Sequence, residues 1–200
     1  MKKTLFIAVL MVSSIASKAQ KLELGLNGGV APYIYADNSF KSFNGTVKKQ
    51  MGYYGSFRVA LMLAGWQLGA AVDNYQMGVS SAIMGASVKT KYNNLTPYLF
   101  LNKMFKLPKS YIYAGINAGM NFGAAKNTGV NTTVLPVADY SGYNGGVQAG
   151  FTLNLAKGLG ANIEAGARYM HIQYDDVLGV KGGTTDMLAF PISLGVRYTF

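Results

Sequence analysis

The sequence predicts an all-β fold, an eight-stranded antiparallel up-and-down transmembrane β-barrel, and three observations predict it. The first is period-two alternation, clearest in residues 188–200, LAFPISLGVRYTF. Leu188, Phe190, Ile192, Leu194, Val196, Tyr198 and Phe200 fall on one face of a strand. Ala189, Pro191, Ser193, Gly195, Arg197 and Thr199 fall on the other, because successive side chains of a strand point in opposite directions. The second is composition: 25 Gly, 14 Tyr, 10 Phe and no Cys in 200 residues, with 13% charged. That charge content is about half the ~25% usual in soluble proteins, yet no apolar run of roughly 18 residues could cross a bilayer as a helix. The third is rhythm. Short turns alternate with long polar connections, the asymmetry of an outer-membrane barrel.

The strands follow in order. Segments 21–35, 51–63, 66–77, 94–105, 111–123, 142–155, 160–174 and 188–200 each carry alternating or β-rich sequence. Ala64-Gly65, 106–110 and 156–159 are short and rich in turn residues. Residues 36–50, 78–93, 124–141 and 175–187 read as long loops. An even strand number places both ends of the chain on the short-turn, periplasmic side.

Residues 1–19 read as a signal peptide and 20–200 as a single barrel domain. Lys2 and Lys3 are followed by an apolar stretch, and Ser17-Lys18-Ala19 is a small-x-small cleavage site before Gln20. With no Cys after that site, the segment reads as a cleaved leader rather than a lipoprotein anchor, and disulfide and thiol chemistry are excluded. The formal charge is +10, or +7 with 15 basic and 8 acidic groups once Lys2, Lys3 and Lys18 are removed. The excess sits mainly in the loops, at Lys41, Lys48, Lys49, Lys89, Lys91, Lys126 and Lys181. It reads as a solvated loop surface, or as an attraction for anionic headgroups and surface polysaccharide.

Alternation assigns the faces. Phe57, Val59, Leu61 and Leu63 point outward, opposite Ser56, Arg58 and Ala60. Ile163, Ala165, Ala167 and Tyr169 oppose Asn162, Glu164, Gly166 and Arg168. The fourth strand is ambiguous because Leu99, Phe100 and Leu101 are all apolar. The expectation there is Tyr98, Phe100 and Met104 outward and Lys103 inward. The charged strand residues Glu23, Arg58, Asp73, Lys103, Glu164, Arg168 and Arg197 then collect inside as a lumen charge network. A charge facing lipid at mid-depth costs about 2–4 kcal/mol, so they must face a wet or paired interior. Eight strands leave an interior just wide enough for side chains to fill, which favours a plugged lumen over a pore. Inner glycines such as Gly25, Gly69, Gly115, Gly150 and Gly195 either make room for long side chains or leave a cavity.

Aromatic residues near strand ends read as interface girdles. Trp66, Phe105, Tyr198 and Phe200 mark one end; Tyr33, Tyr53, Tyr75, Tyr143, Tyr169 and Tyr174 mark the other.

Chemistry has few candidates. His171 is the one histidine, expected to point outward near the upper rim, with Asp175 and Asp176 close in sequence and Ser141 as a conceivable nucleophile. The spacing does not build a nucleophile–base–orienter set. Asp175-Asp176 with Asp186 offers oxygen ligands for Ca²⁺, but no EF-hand spacing is present. No phosphate loop, zinc spacing or nucleic-acid groove pattern is found. No cofactor and no enzymatic activity are expected.

The residue patterns resemble a known group. Ser17-Lys18-Ala19-Gln20 is similar to the signal endings of exported Bacteroidetes proteins. Residues 22–29, LELGLNGG, resemble the xGxxGG first strand of the outer-membrane β-barrel (PorT-like, porin family) proteins. Residues 192–200, ISLGVRYTF, resemble their closing strand. That closing strand, with Tyr198 and Phe200, also resembles the C-terminal signal read by the barrel-assembly machinery. Thr96-Pro97-Tyr98-Leu99 resembles the family's Ile-Pro-Leu-Leu motif. The resemblance implies outer-membrane location, contact with outer-membrane lipid and lipopolysaccharide, and assembly by that machinery, with a conceivable link to type IX secretion. The functional expectation is a structural or surface-interaction role through four long loops. A narrow channel or small-ligand binder is the alternative, and a lipid-modifying enzyme the third reading.

Overall fold

A computed structural model describes residues 21–36, 51–83, 86–129, 138–175 and 183–200. The proposed signal peptide lies outside these residues, as do Asp176 and most of two expected loops. The described residues form β1 (Lys21–Ala36), β2 (Met51–Leu63), β3 (Trp66–Ile83), β4 (Ala86–Leu107), β5 (Ser110–Gly129), β6 (Ala138–Ala156), β7 (Leu159–Tyr174), β8 (Thr184–Ala189) and β9 (Ile192–Thr199). Every neighbouring pair is antiparallel. β8 and β9 are two halves of one eighth strand, because both lie between β7 and β1 in an unbroken register. β1 also pairs with β2, so the ring is closed. The interruption falls at Phe190-Pro191, where proline supplies no N–H to the ladder. Phe190 N–H still bonds to Pro32 O at 2.8 Å, and Pro191 O accepts from Gly166 N–H at 3.0 Å.

Within the closed ring each strand satisfies its backbone groups against two neighbours; beyond Gln76, β3 pairs with β4 alone. The turn between β2 and β3 holds Ala64 at φ 41° and Gly65 at φ 88°. Two positive-φ residues in a two-residue loop match the twist of the flanking strands.

The strands run farther than the sequence pattern indicates. Residues 78–93, expected as a loop, continue β3 and β4 as a paired hairpin up to Ile83 and Ala86. The expected loop 124–141 likewise contains paired extensions of β5 and β6. Polar sequence hid these extensions, since strands above an apolar band no longer need an apolar face.

The outer face is apolar around the whole ring. Leu99 and Leu194 are each 67% exposed and Ile116 is 62% exposed, far beyond what scattered surface leucines explain. The inner face holds the buried residues. The fourth-strand expectation is corrected: Tyr98, Phe100 and Met104 are buried inside, and Lys103 is outside with Leu99 and Leu101. The pairing of Asn102 with Gly115 settles it, because Asn102 is fully buried in the amide chemistry of the lumen. Lys103 instead rests its Nζ 4.6 Å from the centre of the Trp66 ring at the short-turn end. The girdle expectation is corrected in part. Tyr53, Tyr143 and Tyr169 are exposed outside, but Tyr33 and Tyr75 are buried inside and Tyr174 packs against the same inner cluster.

Candidate functional site

The lumen is organised in layers by the inward rows of the strands. Its middle holds six of the seven charges expected there, and Lys103 is the exception. Arg58 on β2 reaches across to Glu164 on β7, Nη2 to Oε1 at 2.6 Å. Arg197 on β9 stands 3.5 Å from Glu164 and 3.8 Å from Glu23. Arg168 on β7 reaches Asp73 on β3 at 2.7 Å. β7 and the β2–β3 pair are not neighbours in the ring, so the Arg58–Glu164 and Arg168–Asp73 bonds span the interior, whereas Arg197 meets carboxylates of the strands on either side of it. Three guanidinium groups meet three carboxylates, which keeps each charge opposed where water is scarce.

Tyrosines complete the carboxylates. Tyr113 Oη donates to Glu164 at 2.5 Å and Tyr111 Oη donates to Glu23. Tyr75 and Tyr98 donate to the two oxygens of Asp73 at 3.0 and 3.2 Å. Arg168 lies over the Tyr98 ring at 4.1 Å and Arg58 over the Phe100 ring at 5.1 Å. A chain of amides feeds the same network. Asn117 donates to Gln148, Gln148 to Asn102, Asn102 to Gln67 and Gln67 to Glu23, at 3.0, 3.0, 2.7 and 2.7 Å.

Glycines give these long side chains their space. A Cβ at Gly25 would fall 2.6 Å from Arg197 Nη1 and 2.8 Å from Arg58 Cγ. One at Gly69 would fall 2.5 Å from Phe100 Cζ, and one at Gly150 would strike the Tyr113 hydroxyl. Some guanidinium nitrogens, including Arg58 Nε and Nη1 and Arg197 Nε, have no protein acceptor. Such donors favour ordered water.

Towards the long-loop end the lumen changes character. Tyr33, Tyr54, Tyr75, Tyr92 and Tyr140 pack with Met77, Met170, Ile172 and Met187 in one buried cluster. Sequence reasoning missed this layer and the amide chain. Alternation was the signal available: it places Tyr113, Asn117, Gln148 and Asn162 on inner rows, but only register brings them together.

The outer rim carries His171. It lies beyond the Tyr169 level of the apolar face, stacked on Tyr143 at 4.8 Å, with Nδ1 2.8 Å from Asp186 Oδ1. Tyr169 Oη donates to the same oxygen at 2.6 Å. Asp186 Oδ1 thus accepts from both Tyr169 and His171. Ser141 pairs with Gln173, one row above the Tyr143–His171 pair. Among the described residues, no group of three acids or histidines is placed to hold a metal ion. Tyr198 and Phe200 stand on the outer face, edge to face at 4.7 Å.

An eight-stranded closed ring, apolar outside and polar inside, defines the class: a small membrane-type β-barrel. Solved structures agree on this fold. The outer membrane protein OprG from Pseudomonas aeruginosa matches with TM-score 0.58 and 14% identity, over 89% of this chain and 95% of that one. Neisserial surface protein A matches with TM-score 0.53 and 12% identity, over 90% and 97%. Outer membrane protein AlkL, solved by solid-state NMR in lipid bilayers, matches with TM-score 0.53 and 15% identity, over 90% of each chain. No protein-family model matches the chain, and no curated protein matches it.

Proposed function

We propose that this chain is a small outer-membrane β-barrel whose lumen is plugged by its own side chains and whose role is structural or surface-interacting. Its short turns face the periplasm and its long connections face outward. The apolar exterior supports membrane residence. The signal-like segment and the chain-end resemblance to PorT-like Bacteroidetes barrels support export to the outer membrane and assembly there. The observation that carries the plug is the trans-lumen pair Arg58–Glu164, both buried and 2.6 Å apart. It ties opposite walls together at mid-depth. Binding, if it resides in the loops, needs no open pore. Planar-bilayer recording tests this: the purified barrel gives no large, stable conductance steps, and such steps would overturn the plug.

A second reading is favoured by the unpaired guanidinium donors. Waters on Arg58 and Arg197 would make a narrow polar path. It predicts small conductances that change when Arg58 or Arg168 is substituted. The barrel is proposed as non-enzymatic, and His171→Ala leaves the lipid profile of the host membrane unchanged.

A further inference from the structure

The geometry points to a binding site for the headgroup of an anionic glycolipid on the outer wall of β2–β5. This rests on the outer-membrane placement proposed above. A groove of about 880 Å³ lies there, on the outside of the barrel near its long-loop end. Asn74, Gln76, Asn93 and Lys91 supply its polar lining.

The outward rows grade in polarity in one direction. On β4 they run Leu101, Leu99, Pro97, Leu95, then Asn93, then Lys91. On β3 they run Leu68, Ala70, Val72, then Asn74 and Gln76. Register aligns the steps. Asn74 stands beside Leu95, Gln76 lies between Tyr53 and Asn93, and Lys91 lies across from position 126, a second lysine. Leu95 and Phe122 close the lower edge of the groove and Tyr53 its side.

This order is that of an amphiphile standing in the outer leaflet. Apolar wall meets acyl chain, amides meet sugar hydroxyls and amide groups, and lysine meets phosphate. Asn and Gln each offer a carbonyl acceptor and two N–H donors, the pattern that reads a saccharide edge. An aromatic ring beside them adds a flat apolar face. A simple phospholipid headgroup would use the lysine level and leave three exposed amides without a role.

The opposite wall does not share this chemistry. There β6, β7 and β8 present Tyr143, His171 and Asp186 on one outward row, and Asp139 lies farther toward the long-loop end of β6. A carboxylate there repels an anionic headgroup. Among the described residues, the rim is therefore electrostatically two-sided, basic at Lys91 on β4 and acidic at Asp139 on β6 and Asp186 on β8.

The test reconstitutes the full chain in vesicles containing either purified lipid A or phosphatidylglycerol and measures retained lipid by native mass spectrometry. Protease protection and heat-modifiable migration report insertion separately. Lipid A is expected to be retained over phosphatidylglycerol. Asn74→Ala/Gln76→Ala/Asn93→Ala and Lys91→Ala are each expected to insert normally and bind lipid A about tenfold more weakly. Gln173→Ala/Thr184→Ala, on the opposite wall, is expected to bind as the parent does. Normal insertion with undiminished lipid A retention in the groove variants overturns the site. Equal retention of phosphatidylglycerol overturns the glycolipid assignment. Failure of the parent to insert in either vesicle overturns the membrane placement itself, a result distinct from the other two.

Discussion

Two carboxylates in this barrel meet the same chemistry in opposite surroundings. Asp73, inside, accepts from Tyr75, Tyr98 and Arg168 and is 2% exposed. Asp186, outside at the rim, accepts from Tyr169 and His171 with its side chain 40% exposed. Similar distances do not mean similar energies. In the interior a charge that loses its partner has no water to replace it, so the pair is strongly coupled. At the rim, water competes for every bond, and an exposed pair contributes little. The lumen network is thus structural in consequence, while the rim cluster is free to change.

The sharpest way to break this comparison is to orphan a lumen charge. Arg58→Ala leaves Glu164 with the longer Arg197 contact as its one remaining ion pair, beside the Tyr113 hydroxyl, and is expected to destabilise the barrel by about 3–5 kcal/mol. Urea unfolding in vesicles measures it. The double variant Arg58→Met/Glu164→Leu removes both charges and should recover most of that loss. If it does not, the pair contributes more than charge balance.

Tyr98→Phe removes one donor to Asp73 while keeping the ring under Arg168. A lost hydrogen bond to a buried charge is worth about 1.5–3 kcal/mol, read in the same unfolding experiment. Gly25→Ala tests the packing instead: the new methyl meets Arg197 and Arg58, and overpacking costs about 1–3 kcal/mol. A wild-type unfolding curve would show that the lumen has room to spare there.

The smallest effect is expected at the rim. Asp186→Asn should change stability by only about 0.2–1 kcal/mol, the range of exposed pairs. Unfolding midpoints of wild type and Asp186→Asn measure it, and a loss as large as that of Arg58→Ala would mean that the rim cluster is coupled like the lumen.

Much of this was readable in advance, for a simple reason. In the middle of β2 and β7, at residues 56–59 and 161–169, polar or small residues alternate with apolar ones, so Arg58, Glu164 and Arg168 could be placed inside by counting. In β4, three consecutive apolar residues, Leu99, Phe100 and Leu101, defeat the count, and the pattern alone puts Lys103 on the wrong face. Its position near a strand end explains how the sequence tolerates it outside: a flexible stem can carry the ammonium group onto Trp66. Tyr33 and Tyr75 were misassigned for a different reason. An end position and an aromatic ring suggest a girdle, but the period-two phase of each strand decides whether the ring faces out.

The amino-acid sequence by itself determined the strands, their number and, where alternation is clean, which side chains share a face, because a period of two is a local property of the backbone. Which inward residues meet was decided only by the closed ring. Arg58 and Glu164 are separated by more than a hundred positions in the chain, and no local pattern pairs them. Register and barrel diameter bring them to 2.6 Å, and the same register sets Asn74, Gln76 and Asn93 side by side on the outer wall.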